Sequence, residues 1–120
     1  MSLKDNVQDF VNKCDSGQMM DAFEQYYADD IKITEANGDT FHGKDNQRQR
    51  IADWMSTVEE IHGGAHPAWG VNEETGSAFI QSQTDVTFKQ GGRMLFEEVA
   101  VQTWKDGKIV EERFFYNMPG

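Results

Sequence analysis

Residues 78–116 carry the strongest structural signal in this chain, and they read AFIQSQTDVTFKQGGRMLFEEVAVQTWKDGKIVEERFFY. The runs 78–88, 94–104 and 109–116 are rich in β-branched and aromatic residues, and glycine-containing turns separate them. In the second turn, Asp106-Gly107 is a dipeptide preferred in two-residue type I′ hairpin loops. The stretch therefore predicts an antiparallel meander of strands.

Amphipathic helices are predicted only before this meander. Apolar residues recur at steps of three and four over 3–14 and again over 19–27. A third helix is predicted over 45–61, ended by Gly63-Gly64, and its apolar stripe is Ile51, Trp54, Met55, Val58 and Ile61. Short extended pieces are expected at 31–35, 40–43 and 66–72. This order predicts an α+β fold, with three N-terminal helices packed on a curved, mostly antiparallel sheet that can enclose a cavity.

Length and composition favour one domain over residues 1–120, placed in the cytoplasm. The formal net charge of −10 would repel nucleic acid and anionic membrane surfaces, so neither is expected as a partner. The N-terminus lacks the basic and apolar regions of a signal peptide, and no apolar run reaches the length of a membrane span. Cys14 is the only cysteine, predicted to be a buried thiol, and no spacing typical of a metal or cofactor site is present.

The predicted middle strand, 94–104, is largely apolar on both of its faces. One face carries Phe96, Ala100 and Trp104, and the other carries Leu95, Val99 and Val101. A sheet that is apolar on both sides is covered on both sides. Because the helices can cover only the concave side, we expect a homodimer through the other side of the sheet.

Three short motifs carry a family resemblance. They are YYADDIKI at 26–33, FHGK at 41–44 and DGKIVEE at 106–112. In this order and at these spacings, the chain resembles the NTF2-like superfamily, in its SnoaL-like and ketosteroid-isomerase-like branch. The resemblance implies a cystatin-like, NTF2-like cone over nearly the whole length. It does not settle the activity, because the superfamily includes isomerases, cyclases, dehydratases, epoxide hydrolases and transport factors without catalysis.

The chemistry of the isomerase-like members can be compared with this chain position by position. Their proton-shuttling carboxylate lies a few residues beyond the Ala-Asp-Asp junction, where this chain has Glu35. Their two oxyanion-stabilising donors correspond to Phe10 and Ala100, neither of which can donate a side-chain hydrogen bond. The absence of both donors argues against a steroid-type isomerase, because oxyanion stabilisation is often the largest catalytic contribution.

Other candidate site residues follow from the strand faces. Glu35 shares a face with Ile31 and Ile33, and burial there would suit it to act as a general base. Tyr116 is the best substitute donor, and His66 could reach the mouth of the cavity. His42 and His62 are expected to be structural, with His62 near the end of the third helix. Side chains expected to line the ligand site are Trp54, Glu98, Trp104, Glu112 and Phe114.

Two classes of function stay open at this point. The first is an acid/base isomerase, cyclase or dehydratase that acts on a small apolar organic substrate, with Glu35 as base and no cofactor. The second is a non-catalytic ligand-binding or dimerisation module. A subunit of a larger assembly is a weaker third alternative. The position of Glu35 relative to an enclosed cavity would best discriminate between the first two.

Overall fold

The computed structural model describes residues 2–116 and begins with a helical hairpin. Helix α1 spans Leu3–Asp15 and helix α2 spans Met19–Tyr26. The Ser2 side chain caps α1 by accepting a hydrogen bond from the Asp5 backbone N–H. At the other end of the hairpin, Lys44 Nζ donates to the Glu24 carbonyl at 2.7 Å, and Lys108 Nζ donates to the Gln25 carbonyl. Both cations thus lie at the negative end of α2, which favours its termination there.

Six strands form one sheet. They are β1 (Tyr27–Thr34), β2 (Thr40–His42), β3 (Val58–Asn72), β4 (Ser77–Phe88), β5 (Gly92–Lys105) and β6 (Lys108–Tyr116). Their order across the sheet is β2-β1-β6-β5-β4-β3, and only the β1–β6 pair is parallel. The β5–β6 hairpin has positive φ at both Asp106 and Gly107, as a type I′ loop requires. The predicted meander and the α+β class are confirmed.

The predicted boundary between the third helix and the next strand is wrong. Helix α3 spans Lys44–Ser56, and strand β3 already begins at Val58. Val58 pairs with Phe88, and Ile61 pairs with Val86. The two apolar residues continue the helical period by coincidence, but pairing with the long strand β4 satisfies the backbone groups of 58–72 in extended form. His62 therefore lies in a strand, where Nε2 contacts Thr87 Oγ1 at 2.6 Å.

The helices cover one face of the sheet, in the arrangement of NTF2-like cones. Helix α1 contacts β3 at one edge, whereas α3 contacts β1 and β2 at the other. On β5, Ala100, Gln102 and Trp104 are buried on this concave face, as their shared parity predicts. The core beneath the helices is formed by Val7, Phe10, Val11, Ala22, Phe23, Tyr26, Tyr27, Ile31, Ile33, Ala78, Ile80, Trp104 and Ile109, with the half-buried Cys14 packed against it.

The opposite, convex face exposes apolar side chains. Leu95 is 55% exposed and Phe115 is 48% exposed, although both lie within strands. Phe115 is the register partner of Val99, and Phe79 is the partner of Val101, so these side chains adjoin each other. We call the set Phe79, Leu95, Val99, Val101 and Phe115 the convex patch. A shallow depression of about 270 Å³ beside it is lined by Ala68, Trp69, Gly70, Phe79, Gln81 and Val99.

Helices that could cross a bilayer were sought within residues 2–116, and none has the length and apolar character required.

Candidate functional site

Polar side chains form a row across the concave face, from one edge of the helix-covered sheet to the other. Ser82 on β4 is the register partner of Glu98 on β5, and Glu98 is the partner of Tyr116 on β6. His66 lies in an irregularity of β3, between the pairs that flank Ser82. At the other end, the Tyr116 hydroxyl donates to Glu35 Oε2 at 3.1 Å. We call His66, Ser82, Glu98, Tyr116 and Glu35 the polar row.

Glu35 lies just beyond the end of β1 with both carboxylate oxygens bonded. Arg50 Nη2 donates to Oε1 at 2.7 Å, and Tyr116 donates to Oε2. The Glu35 side chain is 18% exposed and that of Arg50 is 26% exposed, so this ion pair is partly shielded from water. The guanidinium and the phenol together fix the orientation of the carboxylate.

Arg50 is itself held in place by two further contacts from its surroundings. Nη1 donates to Gln47 Oε1 at 2.8 Å, and the guanidinium carbon lies 3.7 Å from the centre of the Phe41 ring. The sequence analysis missed Arg50. A signal was present, because Gln47, Arg50, Ile51 and Trp54 recur at helical spacing on the face of α3 that turns toward the sheet.

Glu98 occupies the middle of the row in a different environment. Burial raises the pKa of its carboxyl above the ordinary value, and the negative charge of Glu35 raises it further. The Ser82 hydroxyl and the His66 ring act in the opposite direction. Tyr116 is a neutral donor beside both carboxylates, because burial and the Glu35 charge raise the pKa of its phenol.

Glu112 lies on the same face of β6 as Tyr116, but inside the core, and only 2% of it is exposed. Gln102 Nε2 donates to Oε2 at 2.7 Å, and the Tyr27 hydroxyl donates to Oε1. Gln102 Oε1 in turn accepts from Trp104 Nε1 at 2.9 Å. Burial raises the pKa of Glu112 to about 7, although the two donors oppose this shift. Glu112 and Trp104 were predicted to line the ligand site; the structure buries both in the core, and their contact with a ligand stays a prediction.

The predicted aromatic side chains are distributed over different depths. Trp104 packs against Tyr26 with a centroid distance of 5.3 Å and belongs to the core. Phe114 is half-buried and packs against that core. Trp54 is 37% exposed and meets Phe88 edge-on at 6.0 Å, at the end of α3. Among the predicted aromatic residues, Phe114 and Trp54 therefore keep some exposed surface, as does Tyr116 in the row.

His66 lies at the end of the row that is opposite to Glu35. Its Nδ1 lies 2.6 Å from Asp15 Oδ1, at the end of α1. The sequence analysis missed Asp15, which has no local pattern that would connect it to a strand lying some fifty residues later. Within residues 2–116, no group of three or more histidine, cysteine or acidic side chains is arranged to hold a metal ion.

Comparisons with known proteins agree with this architecture. The family of SnoaL-like domains matches residues 1–116. The chain belongs to the SnoaL-like family. One similar protein is a candidate SnoaL-like polyketide cyclase from Mesorhizobium loti, which is also named a carbohydrate phosphatase. Its crystal structure has a chain that is 36% identical to this one. The match covers 97% of this chain and 100% of that one, with a TM-score of 0.88.

More distant structures share the fold. An NTF2-like protein of unknown function from Burkholderia pseudomallei is 17% identical, with coverage of 98% and 92% and a TM-score of 0.79. A protein of ketosteroid isomerase-like fold from Catenulispora acidiphila, in complex with trimethylamine, is 14% identical, with coverage of 94% and 85% and a TM-score of 0.73. No curated protein matches the chain.

In this SnoaL-like domain, the positions that correspond to the oxyanion donors of isomerases are part of the packing. Phe10 is 8% exposed and contacts Tyr26 and Trp104 edge-on. Ala100 is 8% exposed and pairs with Phe114. The polar groups available beside Glu35 are instead Tyr116, Arg50 and Glu98, which no local sequence pattern groups together.

Proposed function

We propose that this protein catalyses proton transfer on a small, largely apolar organic molecule with an enolisable carbonyl group, with Glu35 as the base and Glu98 as the acid. The observation that carries the proposal is the pair of carboxyl groups in one polar row with opposite surroundings. Glu35 contacts the Arg50 cation, whereas burial favours the neutral form of Glu98. Two carboxyl groups in contrasting environments commonly divide the roles of base and acid.

The proposed step uses both carboxyl groups on one substrate. The Glu35 carboxylate takes the proton from the carbon next to the carbonyl, and the electron pair of that C–H bond forms the C=C bond of the enol. The Glu98 carboxyl donates its hydrogen bond, and then its proton, to the carbonyl oxygen. Glu98 would thereby supply the oxyanion stabilisation that Phe10 and Ala100 cannot provide.

The remaining candidate residues have supporting roles in this proposal. Tyr116 orients the Glu35 carboxylate through its hydrogen bond, and His66 assists at the other end of the row. Trp54 and Phe114 provide apolar walls for the substrate. Glu112 and Trp104 support the row through the buried core of the domain.

The class of reaction follows from the fate of the enol. Return of the proton to another carbon gives an isomerase, loss of a β-hydroxyl group gives a dehydratase, and attack on a second carbonyl gives a cyclase. The name of the Mesorhizobium relative supports the cyclase among these. No cofactor is needed for any of the three reactions.

The base can be tested with nitrobenzisoxazole, an apolar carbon acid. Removal of its C–H proton forms a nitrile as the N–O bond breaks, and the released nitrophenolate is coloured. We expect turnover well above that in an equal concentration of acetate, and a loss of about 100-fold or more in Glu35→Gln. Glu97→Gln is the matched control, because Glu97 is exposed and has the opposite strand parity to Glu98.

Equal rates for the wild-type protein and Glu35→Gln would reject Glu35 as the base. Absence of turnover, combined with saturable quenching of tryptophan fluorescence by the same probe, would favour the non-catalytic ligand-binding module. Absence of both would reject a ligand site over the polar row.

We also propose that a second copy of the chain covers the convex patch. The support is the apolar character of adjoining side chains on a face that no helix of residues 2–116 covers. Neither nucleic acid nor a membrane surface is proposed as a partner, because the net charge of −10 would be repelled by both. The cytoplasmic setting stays a prediction.

A further inference from the structure

His66 and Asp15 form a pair that connects the polar row to solvent. Their Nδ1–Oδ1 distance is 2.6 Å, and they come from β3 and from the end of α1, respectively. The Asp15 side chain is 45% exposed, whereas that of His66 is 19% exposed. Exposure therefore decreases from Asp15 to His66, in the direction of the interior of the row.

The next titratable group inward from His66 is Glu98, two strands away, with Ser82 of β4 between them. The irregularity of β3 that contains His66 lies between the pairs Ala65–Gln83 and Ala68–Gln81, which brackets Ser82 on β4. Ser82 is the direct register partner of Glu98 on β5. The ring is close enough for its positive charge to lower the pKa of the Glu98 carboxyl against the effect of burial.

We propose that the Asp15–His66 pair carries protons between solvent and Glu98, with His66 as the proton carrier and Asp15 as its positioning residue. The inference rests on the proposed function, since Glu98 is the acid that must be reprotonated when its proton leaves with the product, as in the dehydratase reaction. Protonated His66 gives its Nε2 proton to the Glu98 carboxylate, and the N–H electron pair stays on the ring. The neutral ring then takes a proton from hydronium or from a buffer acid, which restores the starting state.

Asp15 has a specific task in this scheme. By accepting a hydrogen bond from Nδ1, it keeps the proton on that nitrogen in the neutral ring and leaves Nε2 as the exchanging atom. Within residues 2–116, no hydrogen-bonding partner occupies Nε2 of His66, whereas Nε2 of His62 on the same strand contacts Thr87. Nε2 is therefore available for proton exchange in His66, whereas in His62 it contacts a side chain.

The charged and titratable groups around the path act on it together. Asp15 faces His66 from α1, and Glu98 faces it from β5. Glu98 itself feels the Glu35 carboxylate, which follows β1, while Tyr116 on β6 adjoins both carboxyl groups. Asp15 thus faces the ring from the solvent side, and Glu98 lies on the interior side of the path.

A structural clamp between α1 and the sheet is the competing explanation for the same contact. A clamp would affect only stability when it is removed. A proton carrier would also change the titration of Glu98, and its loss would be repaired by a small molecule with the same chemistry. The two explanations therefore predict different results in measurements that do not depend on the stability of the fold.

The first measurement needs no substrate. Carboxyl-resolved NMR of the full chain would follow the titration of Glu98 in the wild type, in His66→Gln and in the matched control His62→Gln. We expect the Glu98 midpoint to move upward in His66→Gln only, because the neighbouring cation is lost. In Asp15→Ala, nitrogen-resolved NMR should show neutral His66 shifting its proton from Nδ1 to Nε2.

The second measurement uses diacetone alcohol, a β-hydroxy ketone whose dehydration gives water and mesityl oxide, a conjugated enone. In each turnover Glu35 takes a C–H proton and releases it to solvent, while the proton that Glu98 gave to the carbonyl oxygen leaves with the β-hydroxyl group as water, so Glu98 must be reprotonated. We expect His66→Ala to lower kcat roughly 10-fold or more, and added imidazole to restore it. Glu35→Gln should be inactive with or without imidazole.

The outcomes separate the two proposals. Loss of activity in His66→Ala without imidazole rescue, or identical Glu98 titration in His66→Gln and His62→Gln, would overturn the proton carrier and leave a clamp. If the wild type does not dehydrate the ketone, the proposed function fails for this substrate class, and the NMR titrations alone decide whether His66 is coupled to Glu98. Asp15→Ala provides the same decision if substitution of His66 prevents folding, because Asp15 is largely exposed.

Discussion

The Tyr27 hydroxyl donates a hydrogen bond to Oε1 of Glu112, which joins the start of β1 to the middle of β6 inside the core. Together with Gln102, which donates to the other oxygen, it satisfies a carboxyl group that is only 2% exposed. The donors favour the charged form and burial favours the neutral form. Burial is the larger effect, since it raises the pKa of Glu112 to about 7. The core therefore contains a group that titrates near neutral pH.

Stability should fall as the pH rises through this range. Because the folded pKa of Glu112 is raised from 4.5 to about 7, the folded chain binds the proton more tightly than the unfolded chain does. The contribution of the neutral carboxyl is fully present below about pH 4.5 and is lost as the pH rises to about 7, a change of about 3 kcal/mol. Urea unfolding of the wild type and of Glu112→Gln across this pH range would measure the change. It would appear as a difference between the two slopes of unfolding free energy against pH.

The same series needs a control from a neighbouring carboxyl group. Glu111→Gln serves, because Glu111 is exposed on the same strand. Its unfolding free energy should keep the wild-type dependence on pH. Parallel curves for the wild type and Glu112→Gln would show that Glu112 does not titrate in this range.

Tyr27→Phe should destabilise the fold by about 1–3 kcal/mol at neutral pH, because it leaves one oxygen of Glu112 buried without its donor. It should also move the pKa of Glu112 further upward, since the Tyr27 hydrogen bond lowers it. Tyr26→Phe is the matched control from the next residue. The Tyr26 hydroxyl bonds to Asp9, whose side chain is 39% exposed, so water can replace the lost partner. Equal losses in the two variants would contradict a special role for the buried pair.

Arg50→Gln should lower the kcat of nitrobenzisoxazole turnover. Removal of the guanidinium leaves Oε1 of Glu35 without the donor that orients the carboxylate. We expect a loss of about 10-fold or more, because a displaced base transfers the proton less efficiently. Arg48→Gln, on the same helix, removes an ion pair with Glu24 at the surface and should leave the rate unchanged. An unchanged rate in Arg50→Gln would show that the ion pair does not control the base.

Val99→Glu should prevent pairing of two chains through the convex patch. Val99 adjoins Phe115 in that patch, and burial of an unpaired carboxylate in an interface is strongly unfavourable. Sedimentation at micromolar concentration should give a dimer for the wild type and a monomer for the variant. Met20→Glu provides the control, because Met20 is an exposed apolar residue of α2. A monomeric wild type would reject the proposed dimer.

The meander shows which structural features local sequence patterns can predict and which they cannot. Strand alternation predicted which residues of β5 share a face, because side chains at even and odd positions must point to opposite sides of a sheet. Which of the two faces lies under the helices was decided only by the structure. The same reasoning failed at Val58 and Ile61, which fit a helical period and yet lie in β3. Backbone pairing with β4, which is a contact between distant segments, decides the conformation there.

The sequence by itself determined the α+β class, the SnoaL-like resemblance and the candidacy of Glu35, Tyr116 and His66. These depend on periodicity and on short motifs, which are local properties of the chain. Only the tertiary structure placed Arg50 against Glu35 and Asp15 against His66, and only it showed that Glu112 and Trp104 are buried in the core. Ion pairs and depth of burial depend on which segments the fold brings together, and no pattern within a single segment contains that information.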